Sequence, residues 1–304
     1  MDGWSEGILV VDKAVGPTSH DVVAMARRAL QLRRIGHCGT LDPLASGVLV
    51  LCIGPLTRLS DWISRGEKEY EATIRLGATS STDDSQGEIK PGLSPIPSRD
   101  QIEAALVPLR GDIEQVPPAH SAVKVDGVRS YHRARRNEEI ELAPRSVRVK
   151  LFEIVDFSPP HLRVRVECGK GTYIRSLARD LGIALGCGGY VEVLRRLRIG
   201  TMGVQDAVDL ETLRAGEEQD KIRAACVDPR SALQGILRPL DLDDERALAF
   251  AHGQIVEMTD LPMGEESQED ERAVFGGTRF LGIGQTGGGQ VKPARVFTAP
   301  AQVA

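Results

Sequence analysis

The chain has 304 residues, 41% of them hydrophobic, which is enough for one large core or two smaller ones. The formal net charge of -5 excludes a polycation that binds nucleic acid through bulk charge alone. Five cysteines without a C-x-x-C pair predict neither a disulfide framework nor a zinc knuckle, and the lack of any apolar run near the roughly 18 residues of a membrane span predicts a cytoplasmic protein.

Charge is unevenly distributed along the chain. Residues 1–210 contain 28 basic and 27 acidic side chains, whereas residues 211–304 contain 10 basic and 16 acidic ones. A surface for a polyanion is therefore expected in the first part, where six arginines lie close together in sequence. They are Arg129, Arg133, Arg135, Arg136, Arg145 and Arg148. A solvated loop without a ligand is the alternative interpretation of this run.

The first predicted elements are a strand, a helix and a second strand. Residues 7–11 form an apolar strand, and a Gly-Pro turn precedes a helix that Thr18 or Ser19 caps. The apolar residues at helical spacing are Val22, Val23, Ala26 and Leu30. Residues 36–43 lack periodicity and predict a loop, and the apolar run 48–53 predicts a buried strand that backs this loop rigidly.

A second strand-and-helix pattern precedes a segment without pattern. Residues 68–77 alternate apolar and charged or polar side chains, which predicts a half-buried strand. Ser98 can cap the helix that follows. The apolar positions of this helix are Ile102, Ala105, Leu106 and Leu109. Residues 111–144 then show many charges and little hydrophobic rhythm, and because long structureless loops are rare in compact domains, they predict a mobile binding flap.

The second half of the chain predicts an α+β fold with a small additional domain. Strands are expected at residues 147–157 and 162–168, before a helix. The apolar positions of this helix are Ile174, Leu177, Leu181 and Leu185. Strands and helices without βαβ alternation indicate α+β, and glycine pairs from about residue 240 predict a small β-barrel. We therefore expect domains at residues 1–235, with the flap at about 112–146, and at residues 236–304.

Three short segments contain the residue types that a catalytic site needs. They are GHCGTLDPLASG at 36–47, KEY at 68–70 and GKGTYIR at 169–175. Taken singly, each has an ordinary interpretation, because Asp-Pro is a common turn and Tyr70 and Tyr173 can be core aromatics. Arg175 is less ordinary, since the first turn of a helix disfavours a cation unless an anion is near. Asp42 is a candidate for that anion, and a paired carboxylate stays ionised and oriented, as a nucleophile must.

The three segments, in this order, resemble the motifs of the TruB-type tRNA pseudouridine synthases. The first resembles the nucleophile motif of that family, and the similarity extends to RGDIEQVPPAHSAVKVDG before the arginines and to YVEVLRRLRIG after the third motif. The resemblance implies a mixed, largely antiparallel catalytic sheet with an RNA-clamping insertion. It also implies that the C-terminal barrel is a PUA-like RNA-binding domain.

For catalysis, the resemblance implies that Asp42 is the nucleophile and Arg175 its ion-pair partner. Tyr70 would stack on the target base and could accept a proton. The reaction would break the N-glycosidic bond of uridine, turn the uracil within the site and rejoin it through C5, without a metal or organic cofactor. Attack of Asp42 on ribose C1' and attack on base C6 are open alternatives.

For binding, the resemblance implies that Tyr173 and Leu194 line a uridine pocket and that His37 occupies the place left by the flipped nucleotide. Flap arginines would contact RNA phosphates, namely Arg129, Arg133, Arg135 and Arg136. The implied substrate is the uridine at position 55 in the T loop of transfer RNA, a folded stem-loop with single bases read individually. No obligate protein partner is expected.

Departures from the family pattern leave rival interpretations open. Cys38 stands where threonine is common, Glu69 adds a negative charge near the pocket, and the acidic segment 264–272 weakens the case for RNA binding by the second domain. A catalytically silent RNA-binding protein would need the arginines but not Asp42. A synthase in a guide-RNA particle would need partners, and a phosphatase would need a D-x-D pattern at its nucleophile, which Asp42 lacks.

Overall fold

The computed structural model describes residues 5–92, 94–121, 124–125, 128–129, 142–215, 219–258 and 270–297. The first fifteen strands among these residues are β1 (Gly7–Lys13), β2 (Ile35–His37), β3 (Ala45–Ile53), β4 (Lys68–Leu76), β5 (Ala78–Ser80), β6 (Ile89–Pro91), β7 (Gly111–Gln115), β8 (Lys124–Val125), β9 (Val128–Arg129), β10 (Arg145–Ser158), β11 (His161–Cys168), β12 (Gly189–Ile199), β13 (Met202–Gly203), β14 (Val208–Asp209) and β15 (Cys226–Val227).

Eleven of these strands form one sheet. Its order is β14-β1-β3-β12-β4-β11-β10-β7, with β2 paired to β3, β13 to β12 and β15 to β1. Most pairs are antiparallel, whereas β1–β14 and β3–β12 are parallel. The hairpins β5–β6 and β8–β9 stand apart from this sheet. This mixed sheet with separate helices confirms the α+β fold class.

Eight α-helices accompany the strands in the described parts of the chain. They are α1 (Ser19–Leu30), α2 (Ser60–Ile63), α3 (Arg99–Leu106), α4 (Ile174–Ala184), α5 (Leu210–Ala215), α6 (Gln219–Ala224), α7 (Pro229–Leu233) and α8 (Asp244–Ala251). Short 3-10 helices cover Gly54–Leu59, Val107–Leu109 and Val204–Asp206. Within these residues, no helix is long and apolar enough to cross a membrane.

Local sequence explains where these elements begin and which face they bury. Thr18 accepts a hydrogen bond from the Asp21 N–H and the Asp21 side chain accepts one from Thr18, so a capping box starts α1. Ser98 and Gln101 do the same for α3. The alternation predicted for β4 is confirmed, and the apolar run of β3 is buried on both faces because β3 lies inside the sheet.

Two hydrophobic clusters cover opposite faces of the large sheet. On one face, α1 and α4 pack against residues such as Leu9, Leu49 and Ile74. On the other face, Ile8, Val50 and the segment of Gly54–Leu59 with α2 share a cluster with strands of the second sheet. The three segments predicted to be catalytic lie on the first face, with Tyr70 and Leu194 in its cluster.

A second, five-stranded sheet lies near the C-terminus. Its strands are β16 (Arg238–Leu242), β17 (Val256–Glu257), β18 (Asp270–Gly276), β19 (Arg279–Gly287) and β20 (Gln290–Val296). They pair in the order β16-β18-β19-β20-β17 and form a curled half-barrel around α8, with Phe250 and Leu281 in a core of their own. This arrangement confirms the PUA-like architecture. It is a half-barrel, because β16 and β17 are not paired among the described residues.

The structure corrects the limits of the loop and of the flap. Ile35–His37 is a short strand beside β3, so the loop before β3 starts at Cys38. Gly111–Gln115 is an edge strand paired with β10, and β10 already starts at Arg145. Arg145 and Arg148 are therefore strand residues. Arg133, Arg135 and Arg136 lie outside the described residues, and for Arg129 the backbone alone, in β9, is described.

Candidate active site

Asp42 lies on a loop that is fixed from two sides. The Ser19 hydroxyl at the start of α1 donates to the Leu41 carbonyl at 3.0 Å and accepts from the Leu41 N–H at 2.9 Å. The Gly16 N–H donates to the Pro43 carbonyl at 2.8 Å. Because both neighbours of Asp42 are held in this way, its carboxylate is presented from a rigid backbone while its side chain stays 34% exposed.

Arg175 joins Asp42 to a second carboxylate. Its Nη2 lies 2.8 Å from Asp42 Oδ2, and its Nη1 lies 3.4 Å from Asp84 Oδ2. Nη1 also donates to the Thr82 carbonyl at 3.2 Å, and Nη2 donates to the His120 carbonyl at 2.9 Å. The anion that a cation in the first turn of α4 requires is therefore present, and charge-assisted hydrogen bonds orient the Asp42 carboxylate.

Two tyrosines flank this ion pair. Tyr70 is buried on β4. Burial raises the pKa of its hydroxyl, and the positive charge of Arg196 lowers this pKa. Tyr173 precedes α4, and burial also raises the pKa of its hydroxyl, an effect that the Ser121 hydroxyl opposes. The negative charge of Asp42 also contributes to raising the pKa of both phenols.

Leu194 and His37 occupy different borders of the site. Leu194 is buried on β12, opposite Ala72 of β4 and Ala45 of β3, on the same face as Tyr70. His37 ends β2, and its half-buried ring stands edge-on to the His20 ring, with 6.2 Å between ring centroids. The structure thus brings together Asp42, Tyr70, Tyr173 and Arg175, with Leu194 on the sheet beside them.

Sequence reasoning did not single out two buried cations beside this group. Lys13 of β1 is fully buried and donates from Nζ to the Ala14 and Pro17 carbonyls, both at 2.9 Å. Burial lowers the pKa of Lys13 to about 8, while the charge of Asp42 raises it. Arg196 of β12 donates to the Val48 carbonyl at 2.7 Å and to the Thr40 carbonyl at 3.3 Å.

Asp84 was also missed, although the polar run STDDSQG between β5 and β6 offered a signal. Its side chain is 5% exposed, and its Oδ1 accepts from the Thr82 hydroxyl and from the Gln86 N–H. These bonds hold Asp84 in a turn that faces Arg175. For Lys13, the available signal was a lysine that closely follows the apolar run of β1, whereas Arg196 stands among other charged residues of β12 and offered no such signal.

Glu69 does not add charge to the pocket, contrary to the expectation from the sequence. Because side chains alternate along β4, Glu69 lies on the face opposite Tyr70. There it pairs with Arg198 at 3.1 Å and with Arg165 at 3.4 Å. Cys38 is fully buried, with its thiol 3.2 Å from that of Cys52.

The arrangement supplies an oriented carboxylate, a buried cation and two aromatic rings in one place. Such a set suits covalent catalysis on a planar ring, because the carboxylate can attack while the aromatic side chains hold the ring. Among the described residues, no three His, Cys, Asp or Glu side chains are grouped as metal ligands.

Comparison with known proteins identifies the family of this chain. Residues 27–174 match the model of the TruB family pseudouridylate synthase (N terminal domain), residues 175–242 the tRNA pseudouridylate synthase B C-terminal domain, and residues 239–297 pseudouridine synthase II TruB, C-terminal. The tRNA pseudouridine synthase B of Burkholderia lata is 38% identical over 97% of this chain and 91% of its own. That of Leifsonia xyli subsp. xyli is 45% identical over 82% of each chain.

A solved structure gives the same result at lower identity. The archaeal box H/ACA sRNP Nop10-Cbf5 complex contains a chain that is 26% identical, with a TM-score of 0.75 over 98% of this chain and 88% of that one. The order of the motifs, the fold and the relatives that match nearly the whole chain all indicate the same family. The chain therefore belongs to the TruB family of pseudouridine synthases.

Proposed function

We propose that this protein isomerises the uridine at position 55 in the T loop of transfer RNA to pseudouridine, with Asp42 as the nucleophile. The family membership and relatives named tRNA pseudouridine synthase B support the coarser statement that the chain is an isomerase of uridine in transfer RNA. The observation that carries the role of Asp42 is the 2.8 Å contact between Arg175 Nη2 and Asp42 Oδ2 on a rigid, partly exposed loop. The choice of position 55 rests on the family resemblance.

Asp42 starts the reaction by bonding to the ribose C1' or to the base C6, and the bond between C1' and N1 breaks. The uracil turns while it stays in the site, a bond forms between C1' and C5, and the bond to Asp42 breaks, which restores the free carboxylate. The C5 proton then leaves and N1 gains one, so the product has the same atoms as the substrate. Arg175 keeps the Asp42 carboxylate oriented throughout.

The surrounding side chains bind the flipped nucleotide. Tyr70 stacks on the base and is the candidate acceptor of the C5 proton, for which its hydroxyl gives up its own proton, because burial keeps the phenol neutral. Tyr173 and Leu194 line the pocket, and His37 fills the place that the nucleotide leaves in the RNA. Extruding a base costs a few kcal/mol of stacking, which aromatic contacts in the pocket offset. The buried positions of Tyr70 and Leu194 on neighbouring strands support this assignment.

Transfer RNA is the proposed partner, bound through its T stem-loop. Flap arginines contact phosphates, namely Arg129, Arg133, Arg135 and Arg136, and the chain works in the cytoplasm without a protein partner, a metal or an organic cofactor. We also propose that residues 1–235 form the catalytic domain and residues 236–304 the RNA-binding domain. Membership of β16 to β20 in a separate sheet supports this division.

The test of this function is the substitution Asp42→Asn, which keeps size and hydrogen-bonding shape but removes the charge and most of the nucleophilicity. We expect the variant to fold, to bind the T stem-loop near wild-type affinity and to form no detectable pseudouridine, because phosphate and stacking contacts elsewhere supply the binding. The measurement is single-turnover pseudouridine formation on unmodified transfer RNA with chelator present, beside thermal melting and filter binding.

The exposed Asp61 of α2 offers a matched control, and Asp61→Asn should leave turnover unchanged. Arg175→Ala should also impair turnover, because the Asp42 carboxylate loses its orienting cation. If Asp42→Asn retains a tenth of wild-type turnover, Asp42 is not the nucleophile. If the wild type leaves position 55 unmodified, the proposed substrate is wrong.

A further inference from the structure

The segment that leads into the flap is fastened to the start of α4 by a buried glutamine. The Tyr173 N–H donates to Gln115 Oε1 at 2.8 Å, and Gln115 Nε2 donates to the Tyr173 carbonyl at 3.1 Å. Gln115 is 1% exposed, at the end of β7. Tyr173 is the N-cap residue of α4 and caps the helix with no side-chain hydrogen bond of its own, so the amide of Gln115 fixes its backbone instead.

The next residue continues this attachment along the helix. The Val116 carbonyl accepts from the Ser176 hydroxyl and from Arg179 Nη2, both at 2.8 Å. Arg179 Nη1 in turn lies 3.0 Å from Asp83 Oδ2. Two consecutive residues at the end of β7 are thus bonded to the first turns of α4, where they leave little freedom for the helix to rotate or slide.

The same segment reaches the catalytic ion pair directly. Arg175 Nη2 donates to the His120 carbonyl at 2.9 Å while it contacts Asp42 Oδ2 at 2.8 Å. An Nη atom has two hydrogens, and Arg175 Nη2 donates one to the His120 carbonyl and one to the Asp42 carboxylate. A shift of residues 115–120 therefore changes the direction in which Arg175 faces Asp42.

We propose that Gln115 is a positioning residue for catalysis, which acts through Tyr173 and the first turn of α4 to hold Arg175 against Asp42. The proposal rests on the function proposed above for Asp42 and Arg175. Residues 115–120 then do more than connect β7 to the flap, because a movement of these residues changes the position of the Asp42 carboxylate.

The test compares two substitutions of similar size. Gln115→Met removes both hydrogen bonds to Tyr173. Gln115→Glu removes the donor when ionised and sets a carboxylate against the Tyr173 carbonyl, but a protonated carboxyl has one O–H donor and one carbonyl acceptor and rebuilds the amide pattern. Burial favours the neutral form of a carboxyl. The Gln115→Glu protein should therefore recover as the pH falls, which a purely structural defect would not do.

At pH 8 we expect both variants to lower the single-turnover rate constant by about 10²-fold, since misplacing a catalytic group by about 1 Å has this effect. The Kd for the T stem-loop should change by less than about threefold, because the positioning acts on the chemical step and not on uniform binding. At pH 5.5, Gln115→Glu should approach the wild type measured at the same pH, whereas Gln115→Met should not. The exposed Gln234 supplies the control Gln234→Met, with wild-type rates expected.

A double-mutant cycle with Arg175→Lys tests the route of the effect. Because Gln115 and Arg175 act on one carboxylate, their losses should combine less than multiplicatively. The proposal is overturned if Gln115→Met stays within about threefold of the wild type, or if the ratio of Gln115→Glu to wild type does not change with pH. Those outcomes leave the proposed function intact, whereas a wild type that makes no pseudouridine contradicts that function itself.

Discussion

At the residue scale, the site is built from buried charges of both signs. Lys13, Arg175 and Arg196 are each at most 4% exposed. Arg175 pairs with the carboxylates of Asp42 and Asp84, and the charges of Asp42 and Arg196 both act on Lys13. Carbonyl oxygens accept hydrogen bonds from all three cations, which lessens the cost of removing them from water. The excess of positive charge favours the negative charge that develops on uracil when its glycosidic bond breaks.

The first residue-scale prediction concerns the Tyr70 hydroxyl. Tyr70→Phe keeps the ring and its stacking but removes the group proposed to accept the C5 proton. We expect turnover to fall by roughly 10²-fold, in the range of a lost general base. Single-turnover pseudouridine formation measures this, and Tyr190→Phe is the control because Tyr190 is another buried tyrosine of the same sheet. If turnover stays nearly intact, Tyr70 only stacks on the base. If the variant is unfolded in thermal melting, Tyr70 is a core-packing residue.

The second residue-scale prediction concerns the pH dependence of stability through Lys13. Its pKa is about 8 in the folded chain and 10.5 without burial, so between these values the unfolded chain binds more protons. The contribution of Lys13 to the free energy of unfolding therefore increases with pH in this window, by at most about 1.4 kcal/mol per pH unit.

Urea titrations at pH 7.5, 8.5 and 9.5 measure this effect as the difference between the wild type and Lys13→Met. Other groups with shifted pKa values titrate in the same range, and the difference removes them. The exposed Lys90 gives the control Lys90→Met. If the free energy of unfolding of the wild type, minus that of Lys13→Met, falls as the pH rises, Lys13 is not the buried group described here.

How far the site could be foreseen depends on how each residue contributes. Asp42, Tyr70 and Arg175 stand in short motifs, so sequence alone identified them, and the structure places them together. Lys13, Asp84 and Arg196 contribute through burial and through contacts with distant segments. No local pattern encodes such contacts, since a lysine in a strand is equally compatible with an exposed edge.

At the element scale, the flap is predicted to bind RNA through charge. Replacing Arg133, Arg135 and Arg136 together by alanine should weaken binding about equally for any stem-loop, because phosphate contacts carry no sequence information. Each lost contact should reduce the slope of log K against log salt by about 0.7 to 0.9. Filter binding at four salt concentrations measures the slope.

The control for the flap replaces the same three arginines by lysine, which keeps the charge and should keep most of the slope. An alanine variant with the wild-type slope would mean that these side chains do not touch RNA. Unequal losses among unrelated stem-loops would indicate that they read bases instead of phosphates.

Elements with a strong pattern were foreseen, and short edge elements were not. The alternation of β4 and the apolar run of β3 each predicted a strand, because burial on one or both faces selects the side chains. β7 has the sequence GDIEQ, with one buried residue, and within the described parts of the chain it pairs with β10 alone. Its backbone hydrogen bonds, and not its side chains, define it as a strand, so a sequence pattern could not reveal it.

At the scale of the whole molecule, one hydrophobic cluster joins the two sheets. Trp62 and Ile63 of the first part share this cluster with Phe275, Phe280 and Ile283 of the second. The Arg230 guanidinium lies 3.9 Å from the Phe275 ring centroid and adds a cation–π contact at the junction. In the large sheet this junction lies against β1, β3 and the end of β12, whereas Arg163 and Arg165 of β11 stay about half exposed.

The position of β12 between β3 and β4 also governs how the chain folds as it leaves the ribosome. β3 and β4 follow one another along the chain but are not neighbours in the sheet, and β12, which lies between them, begins about 140 residues after β3 ends. At roughly 5 to 20 residues per second, translation leaves the edges of β3 and β4 unpaired for on the order of 10 s. Newly made chains therefore expose unpaired strand edges during synthesis, and such edges are templates for association between neighbouring chains.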